Sequence, residues 1–361
     1  GAVILFRYVS LKVIGATLLS LAGVVGVFLA IDFVDTSWRF TGPGVVGAVL
    51  ELYANKAAVT AYEVAPAALL LGAAIAASGL RQTREWTALR AVGLGPWRIA
   101  APVLVVSLLF GAAGIVLYDA VGVRAAERVE EIQALRFGRG EGKYVAWREP
   151  KRWFRGVDGR RVYHLRGLIP TGGFERITVY ELGSEFELSR RIDAVLMVPG
   201  PEGTWILQDV EIRTFLPEGR ITVEREPSRQ FRFPEPPEAF EVATGRPAQL
   251  RWQTLLEQLA IRERLGLPSA AFALERYNRL AYPLAGVPGV LVALALALRR
   301  ERKGNIAAAL LEAVGVSLVI WSAQGVTWAM GLSGRVTPAV AAWAPNVLML
   351  AVGLFAVRRI R

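Results

Sequence analysis

Residues 81–98 read RQTREWTALRAVGLGPWR, a short, basic, amphipathic stretch between two apolar runs, residues 59–80 and 99–118. Each run holds about 20 residues, enough to cross a hydrocarbon core about 30 Å thick as a helix. Loops rich in Lys and Arg stay on the cytoplasmic side of a membrane, which places Arg81, Arg84, Arg90 and Arg98 there. Thr83 stands where an N-cap is expected, and Glu85 falls in the first turn, where the helix dipole favours an anion. Trp86, Leu89 and Val92 follow at i, i+3 and i+6 as one apolar stripe. Gly93, Gly95 and Pro96 then stop the helix. A tryptophan exposed on a cytoplasmic helix needs something to pack against. The stretch therefore predicts a coupling helix over 82–94, held between two spans and able to pass force from a soluble partner into a membrane domain.

Composition agrees with a membrane chain. Of 361 residues, 53% are hydrophobic, and the mean hydropathy is +0.39. There is no cysteine, which excludes disulfides, thiolate metal sites and a cysteine nucleophile. A single histidine, His164, excludes a multi-histidine metal site. The net charge of +11 is not spread evenly: residues 124–268 hold 24 Lys+Arg and 22 Asp+Glu, only +2 of it. The remainder gathers at Arg7/Lys12, Arg81–Arg98, Arg299–Lys303 and Arg358–Arg361, which are the ends of apolar runs. That is the positive-inside pattern and not a nucleic-acid surface.

Working outward, residues 13–34 form a first span, too long for a cleaved signal peptide. Gly42–Gly44 break the chain, Val45–Tyr53 reads as an interfacial helix, and 59–80 is the second span, with small residues along its inner half that allow close helix approach. The third span is 99–118. From about 124 the pattern becomes short β-rich runs at Tyr144–Trp147, Arg152–Val157, Arg161–Leu165, Glu175–Leu182, Arg190–Val198, Thr204–Phe215, Arg220–Glu224 and Gln230–Phe233, parted by Gly/Pro turns. Residues 248–265 read as a surface helix, and further spans follow at 277–298, 306–328 and 337–357. Every basic cluster then falls on one side. The expected fold is an α-helical membrane protein of six transmembrane helices with an all-β domain inserted between spans three and four. The divisions are 1–123, 124–247 and 248–361, with both termini cytoplasmic and the β domain on the far side.

Catalytic motifs are missing. Gly138–Tyr144 (GRGEGKY) is one residue short of a phosphate-binding loop and has Tyr where Ser or Thr would hold magnesium. There is no Gly-x-Ser-x-Gly elbow, and His164 lies inside a strand-like run. Glu312 lies about two turns from the cytoplasmic end of its span, close enough to reach water or a basic partner. On the opposite side, Arg39 and Lys56 flank the first two spans, while Arg276 and Arg279 open the fourth, with Glu275 and Arg279 an i, i+4 pair. Arg and Lys there suit an anionic lipid headgroup.

The strings LFRY at 5–8, AIDFVD at 30–35, YEVAPAALLLGA at 62–73 and REWTALRAVGLGPWRI at 84–99 resemble the lipopolysaccharide-export permeases of the LptF/LptG (YjgP/YjgQ) family. So do TWILQDV at 204–210, ERYNRLAYPLAG at 275–286 and AAWAPNVLMLAVGLFAVRR at 341–359. The Ile-Asp at 31–32 is more like LptG than LptF. The resemblance implies a β-jellyroll in the periplasm and an inner-membrane location in a Gram-negative bacterium. It implies pairing of LptF-like and LptG-like paralogues, an LptB-like ATPase dimer below, and transfer of lipopolysaccharide to an LptC-like bitopic protein and an LptA-like bridge. ATP and Mg would belong to the partner ATPase, with no cofactor in this chain. Glu85 matches the family's acidic coupling-helix residue, and Arg84, Trp86, Leu89 and Arg90 surround it. Lysines that family members carry near the end of span one and the start of span two are Thr36 and Val59 here, with Arg39 and Lys56 close by. The alternatives are the LptF paralogue, or a permease for another anionic lipid or lipoprotein. A membrane enzyme acting on lipid-linked sugars would need an acid/base or metal cluster that the sequence does not show. A lipoprotein-releasing or peptide-exporting permease would place its large domain after the first span.

Overall fold

The computed structural model of the chain describes residues 2–137, 152–156, 159–169, 173–216, 219–235, 240, 247–264, 266–299 and 306–360. In chain order the elements are α1 (Ala2–Thr36), α2 (Val45–Gln82), α3 (Glu85–Ala91), α4 (Trp97–Leu117) and α5 (Val123–Arg136). Strands β1 (Arg152–Arg155), β2 (Arg161–Ile169), β3 (Gly173–Leu182), β4 (Leu188–Pro199), β5 (Trp205–Phe215) and β6 (Ile221–Phe231) come next. Helices α6 (Trp252–Arg264), α7 (Ala270–Leu284), α8 (Gly286–Arg299), α9 (Ile306–Leu332) and α10 (Pro338–Arg358) complete the chain. There are two compact units. One comprises Gly1–Ile132, Pro247–Trp252 and Ala270–Arg361, and the other Gln133–Arg246 and Gln253–Ser269.

The first unit is helical, and six helical stretches in it are long and apolar enough to cross a membrane: Val3–Arg39, Val45–Gln82, Trp97–Gln133, Ala270–Arg299, Ile306–Leu332 and Pro338–Arg358. Two details differ from the sequence reading. Val45–Tyr53 is not a separate interfacial helix but the first turns of α2. Gly44, at φ 71°, reverses the chain directly into the helix, and no breaker stands between Tyr53 and Val59. The fourth span is present as one stretch, Ala270–Arg299, but carries an unexpected break in its helix ladder, because α7 stops at Leu284 and α8 starts at Gly286. Pro288 has no N–H to offer the Leu284 carbonyl, so the helix ladder opens there. A π turn over Tyr118–Gly122 joins α4 to α5.

Helices α2 and α8 form the centre of this unit, and α1, α9 and α10 pack around them. In lipid there is little hydrophobic drive between helices, so close packing of small residues does the work. Gly289 faces Leu70, Gly286 faces Leu69, and Gly353 faces Leu291 so closely that a methyl group at any of these glycines would collide. Helices α1 and α9 keep most of their apolar surface exposed.

The second unit is built on one antiparallel sheet whose strand order follows the chain, β1 to β6. Tyr163, Val179, Ile192 and Ile212 lie opposite one another on successive strands and are buried. Trp205, Phe174, Phe233 and Phe240 join them in one core. One residue along, the other face carries Trp153, His164, Thr178, Asp193, Glu211 and Arg225 in register across all six strands. The two expected runs Arg220–Glu224 and Gln230–Phe233 are one strand, β6, running through Pro227. Among the described residues it is an edge strand, where a missing N–H costs no ladder bond. The expected strand Tyr144–Trp147 and the Gly138–Tyr144 turn lie outside the described residues.

A crease crosses this sheet. Arg176 and Asp209 have φ of 55° and 50°, and Gly167 has 60°. Arg176 and Asp209 both fall opposite Val195, where the pairing of β3 with β4 and of β4 with β5 skips a residue. At the crease two consecutive residues turn outward: Glu175–Arg176 on β3 and Gln208–Asp209 on β5 are exposed. Phe174 and Ile177, and likewise Leu207 and Val210, then both reach the same core despite being three apart. The register is the same on both sides of the crease, so the neighbouring strands shift their alternation by one residue together, without a β-bulge.

Candidate functional site

The basic end of the helical unit is where α3 sits. Helix α2 ends at Gln82, and Thr83 folds back to donate to the Gly79 carbonyl at 3.0 Å. Thr83 is therefore not the N-cap of α3, as its sequence position predicts. Arg84 takes that place with φ 58°, and the reversal there directs the chain into a seven-residue helix, Glu85–Ala91. The C-terminal end follows the sequence. Gly93, at φ 78°, donates to the Arg90 carbonyl at 2.9 Å, and Leu94 to the Leu89 carbonyl at 3.0 Å. Both bonds close a Schellman turn that only a left-handed residue permits.

Glu85 is the best-connected side chain of this segment. It accepts from Tyr8 at 2.8 Å, from Lys12 at 3.0 Å and from Thr83 at 2.8 Å. Burial pushes its carboxyl up, but hydrogen bonds from Lys12, Thr83 and Tyr8 outweigh that and hold it below the usual carboxylate range. The acid thus ties α3 to α1, a contact that no local pattern could reveal because its partners lie more than 70 residues away.

The apolar stripe divides. Trp86 is not on display: it is 5% exposed and joins a core with Val9, Val13, Leu80, Ile99 and Leu298. Leu89 is half-buried against the same core. Val92, at 76% exposed, faces away, together with Arg84 and Arg90, and with Trp97 and Arg98 at the start of α4. The helix is therefore anchored by Trp86 and Glu85 and presents a basic, partly apolar outer surface.

At the opposite end, Lys56 forms an ion pair with Asp32. Asp32 also accepts from the Tyr53 hydroxyl at 2.7 Å, and Tyr53 lies 3.1 Å from the Thr36 hydroxyl. Lys56 sits 5.2 Å over the Tyr53 ring, and Phe33 and Phe40 complete an aromatic cluster. Arg39 stacks 4.4 Å over Trp38. Arg276 is exposed beside Tyr277. Arg279 departs from the expected outward position. It is 4% exposed and bonded to Glu275 at 3.1 Å, as the i, i+4 spacing predicts. It is a buried structural cation and not a surface one. The sequence reading missed Asp32 and Tyr53 as partners of Lys56, although Asp32 at the end of an apolar run was the available signal.

Among the described residues no group of three or more His, Asp or Glu is placed to hold a metal ion. His164 stacks on Trp153 at 4.0 Å in the sheet.

Comparison with individually curated proteins gives no match. The sequence model of one family, lipopolysaccharide export system permease LptF/LptG, matches residues 7–359, which takes in all six spans and the sheet. The chain belongs to the LptF/LptG family of lipopolysaccharide export permeases, multi-pass membrane transport subunits without catalytic machinery of their own.

Proposed function

We propose that this chain is the transmembrane subunit of an ABC transporter that draws lipopolysaccharide from the outer leaflet of the inner membrane and passes it to a periplasmic bridge. An LptB-like ATPase dimer supplies the energy and holds the ATP and magnesium. The basic end of the helical unit faces the cytoplasm, and the β domain stands in the periplasm. An LptF-like or LptG-like paralogue pairs with the chain, with this one the more LptG-like, and LptC-like and LptA-like proteins receive the lipid. The exposed apolar faces of α1 and α9 suit contact with lipid or with that paralogue.

The observation that carries this reading is α3 itself. A seven-residue helix is too short to be stable alone in water. Here it is fixed by Trp86 in the membrane-end core and by Glu85 on Lys12 and Tyr8. An element so anchored moves with the spans on either side, which is what coupling to a motor requires. Within segment 82–94, Arg84, Arg90 and Val92 face the ATPase, while Glu85, Trp86 and Leu89 hold the surface in place. At the other end, Arg39 and Arg276 are the cations for lipid phosphates, since Lys56 is paired with Asp32.

The experiment is pull-down of the ATPase with the purified chain carrying Glu85→Ala or Glu85→Arg. Both variants should recover less ATPase and slow transport, with Glu85→Arg the worse because it sets like charge against Lys12. Normal assembly and transport in both would overturn the assignment.

A further inference from the structure

The chain leaves the helical unit after Ile132, returns for Pro247–Trp252, leaves again, and returns at Ala270. The six-residue return has one 3-10 turn, Pro247–Gln249, and no longer element of its own before α6 begins. Side chains hold it instead. Arg279 of α7 donates to the carbonyls of Ala248 at 3.0 Å and Pro247 at 3.2 Å, and also to that of Leu250. The Tyr118 hydroxyl donates to the Ala248 carbonyl at 2.9 Å. The Trp252 N–H donates to Asp119 at 2.7 Å, and the Gln249 amide donates to Glu130.

Arg279 also touches Tyr118 and Asp119, two of the other residues that hold the segment. It bonds to Glu275 on its own helix, lies 3.5 Å from Asp119, and sits 5.5 Å over the Tyr118 ring. Tyr118 and Asp119 both belong to the π turn. A π turn inside a long helix departs from the favoured ladder and recurs at functional sites. One buried guanidinium therefore joins three things: α7, the π turn between α4 and α5, and the segment that leads into α6. Burying a charge in a span is costly unless it is fully paired, and such residues as a rule have a task.

We propose that Arg279 is the positioning residue through which movement of α4 and α7 during transport reaches the segments that carry the second unit. The proposal rests on the transporter reading above. Arg279 does not contact the lipid in it. Its Nη2 reaches three backbone carbonyls at once, sharing its two hydrogens among them, while Nε holds Glu275, so the attachment segment follows the helices as one body. Without it, Tyr118, Asp119 and Gln249 would hold the segment by single bonds.

The test uses the assembled transporter in proteoliposomes with lipopolysaccharide, and a photo-cross-linking residue at Tyr163 in the β core reports lipid arrival. Arg279→Gln should leave ATP hydrolysis within about twofold of the parent while lipid arrival falls about tenfold, a coupling effect of ordinary size. The chain has no cysteine, so Asp119→Cys with Trp252→Cys can be bridged in the Arg279→Gln background. Bridging should restore arrival, and reduction should abolish it again. Should Arg279→Gln fail to assemble, Tyr118→Phe with Gln249→Ala removes two of the other bonds and should give the same split. Unchanged arrival in an assembled variant, or a bridge that does not restore it, would overturn the proposal. Absence of lipid arrival in the parent complex would instead overturn the transporter reading and leave Arg279 as a structural tie only.

Discussion

Glu85 is where a single side chain can be asked two different questions. An acid on a coupling helix can touch the partner directly, or it can hold the helix for other residues to do so. The geometry favours holding, since Tyr8, Lys12 and Thr83 all point at its carboxylate. The Lys12–Glu85 pair is about a third exposed, so its own worth is modest, about 0.5 kcal/mol. Lys12→Met should therefore weaken ATPase recovery in the same direction as Glu85→Gln, and the double variant should be little worse than either alone. Additive losses in that cycle would mean that Glu85 docks directly. The pH sign is fixed by the lowered carboxyl. Folded Glu85 titrates below its ordinary 4.5, so the tie is fully present above that value and is lost as pH falls through the folded value. In the sheet, Glu181 has the same sign with better cover. Burial raises its carboxyl, but hydrogen bonds from Arg190 and Arg161 lower it further than burial raises it. Glu181→Gln should cost about 2 kcal/mol of sheet stability at neutral pH and progressively less as pH falls through the lowered folded value of Glu181, read as the loss of near-UV dichroism in denaturant.

At the scale of elements, the sequence carried what is periodic and lost what depends on distant contact. Spans were legible because a run such as residues 99–118 has no competing interpretation. The Gly93 stop of α3 was legible because glycine alone relaxes into the left-handed turn. The start of α3 was not, because the Thr83 hydroxyl turns to the Gly79 carbonyl and the Glu85 carboxylate and caps no backbone N–H of the helix. Trp86 looked like a docking residue on a helix wheel and is a core residue, because its neighbours Val9 and Leu298 come from opposite ends of the chain. Strand β6 looked like two strands because Pro227 is a breaker only inside a sheet. The crease was hidden for a related reason: alternation that slips by one residue reads as noise until the neighbouring strands slip together. Arg176 and Asp209 then sit in a conformation that costs a non-glycine residue about 1–2 kcal/mol. Arg176→Gly and Asp209→Gly should each stabilise the sheet by about 0.5–1 kcal/mol, the strain relieved less the entropy that glycine adds. Val at either position should do the reverse, and both changes are measurable as shifts in the denaturant midpoint of the purified chain.

The whole molecule is oriented by charge. Arg7 and Lys12, Arg81 to Arg98, Arg299, and Arg358 with Arg359 all belong to one end of the helical unit. Arg81 even reaches across to donate to the Ala297 carbonyl of α8 at 2.9 Å. Carrying Arg or Lys through a bilayer centre costs about 2.5–3.5 kcal/mol per residue on the insertion scale, so inverting this chain would oppose many such costs at once. The opposite end has fewer cations, and Lys56 there is neutralised by Asp32. That asymmetry predicts one fixed topology, and a chain without cysteine allows it to be read cleanly. Val92→Cys, Glu185→Cys and Ser333→Cys place single thiols at exposed positions in the loop after α3, in the turn between β3 and β4, and in the turn between α9 and α10. In cells with only the outer membrane made permeable, a membrane-impermeant maleimide should label Glu185→Cys and Ser333→Cys. Val92→Cys should react only after the inner membrane is opened. Labelling of Val92→Cys in closed cells, or protection of Ser333→Cys, would invert the chain, and the surface of α3 could no longer meet a cytoplasmic ATPase.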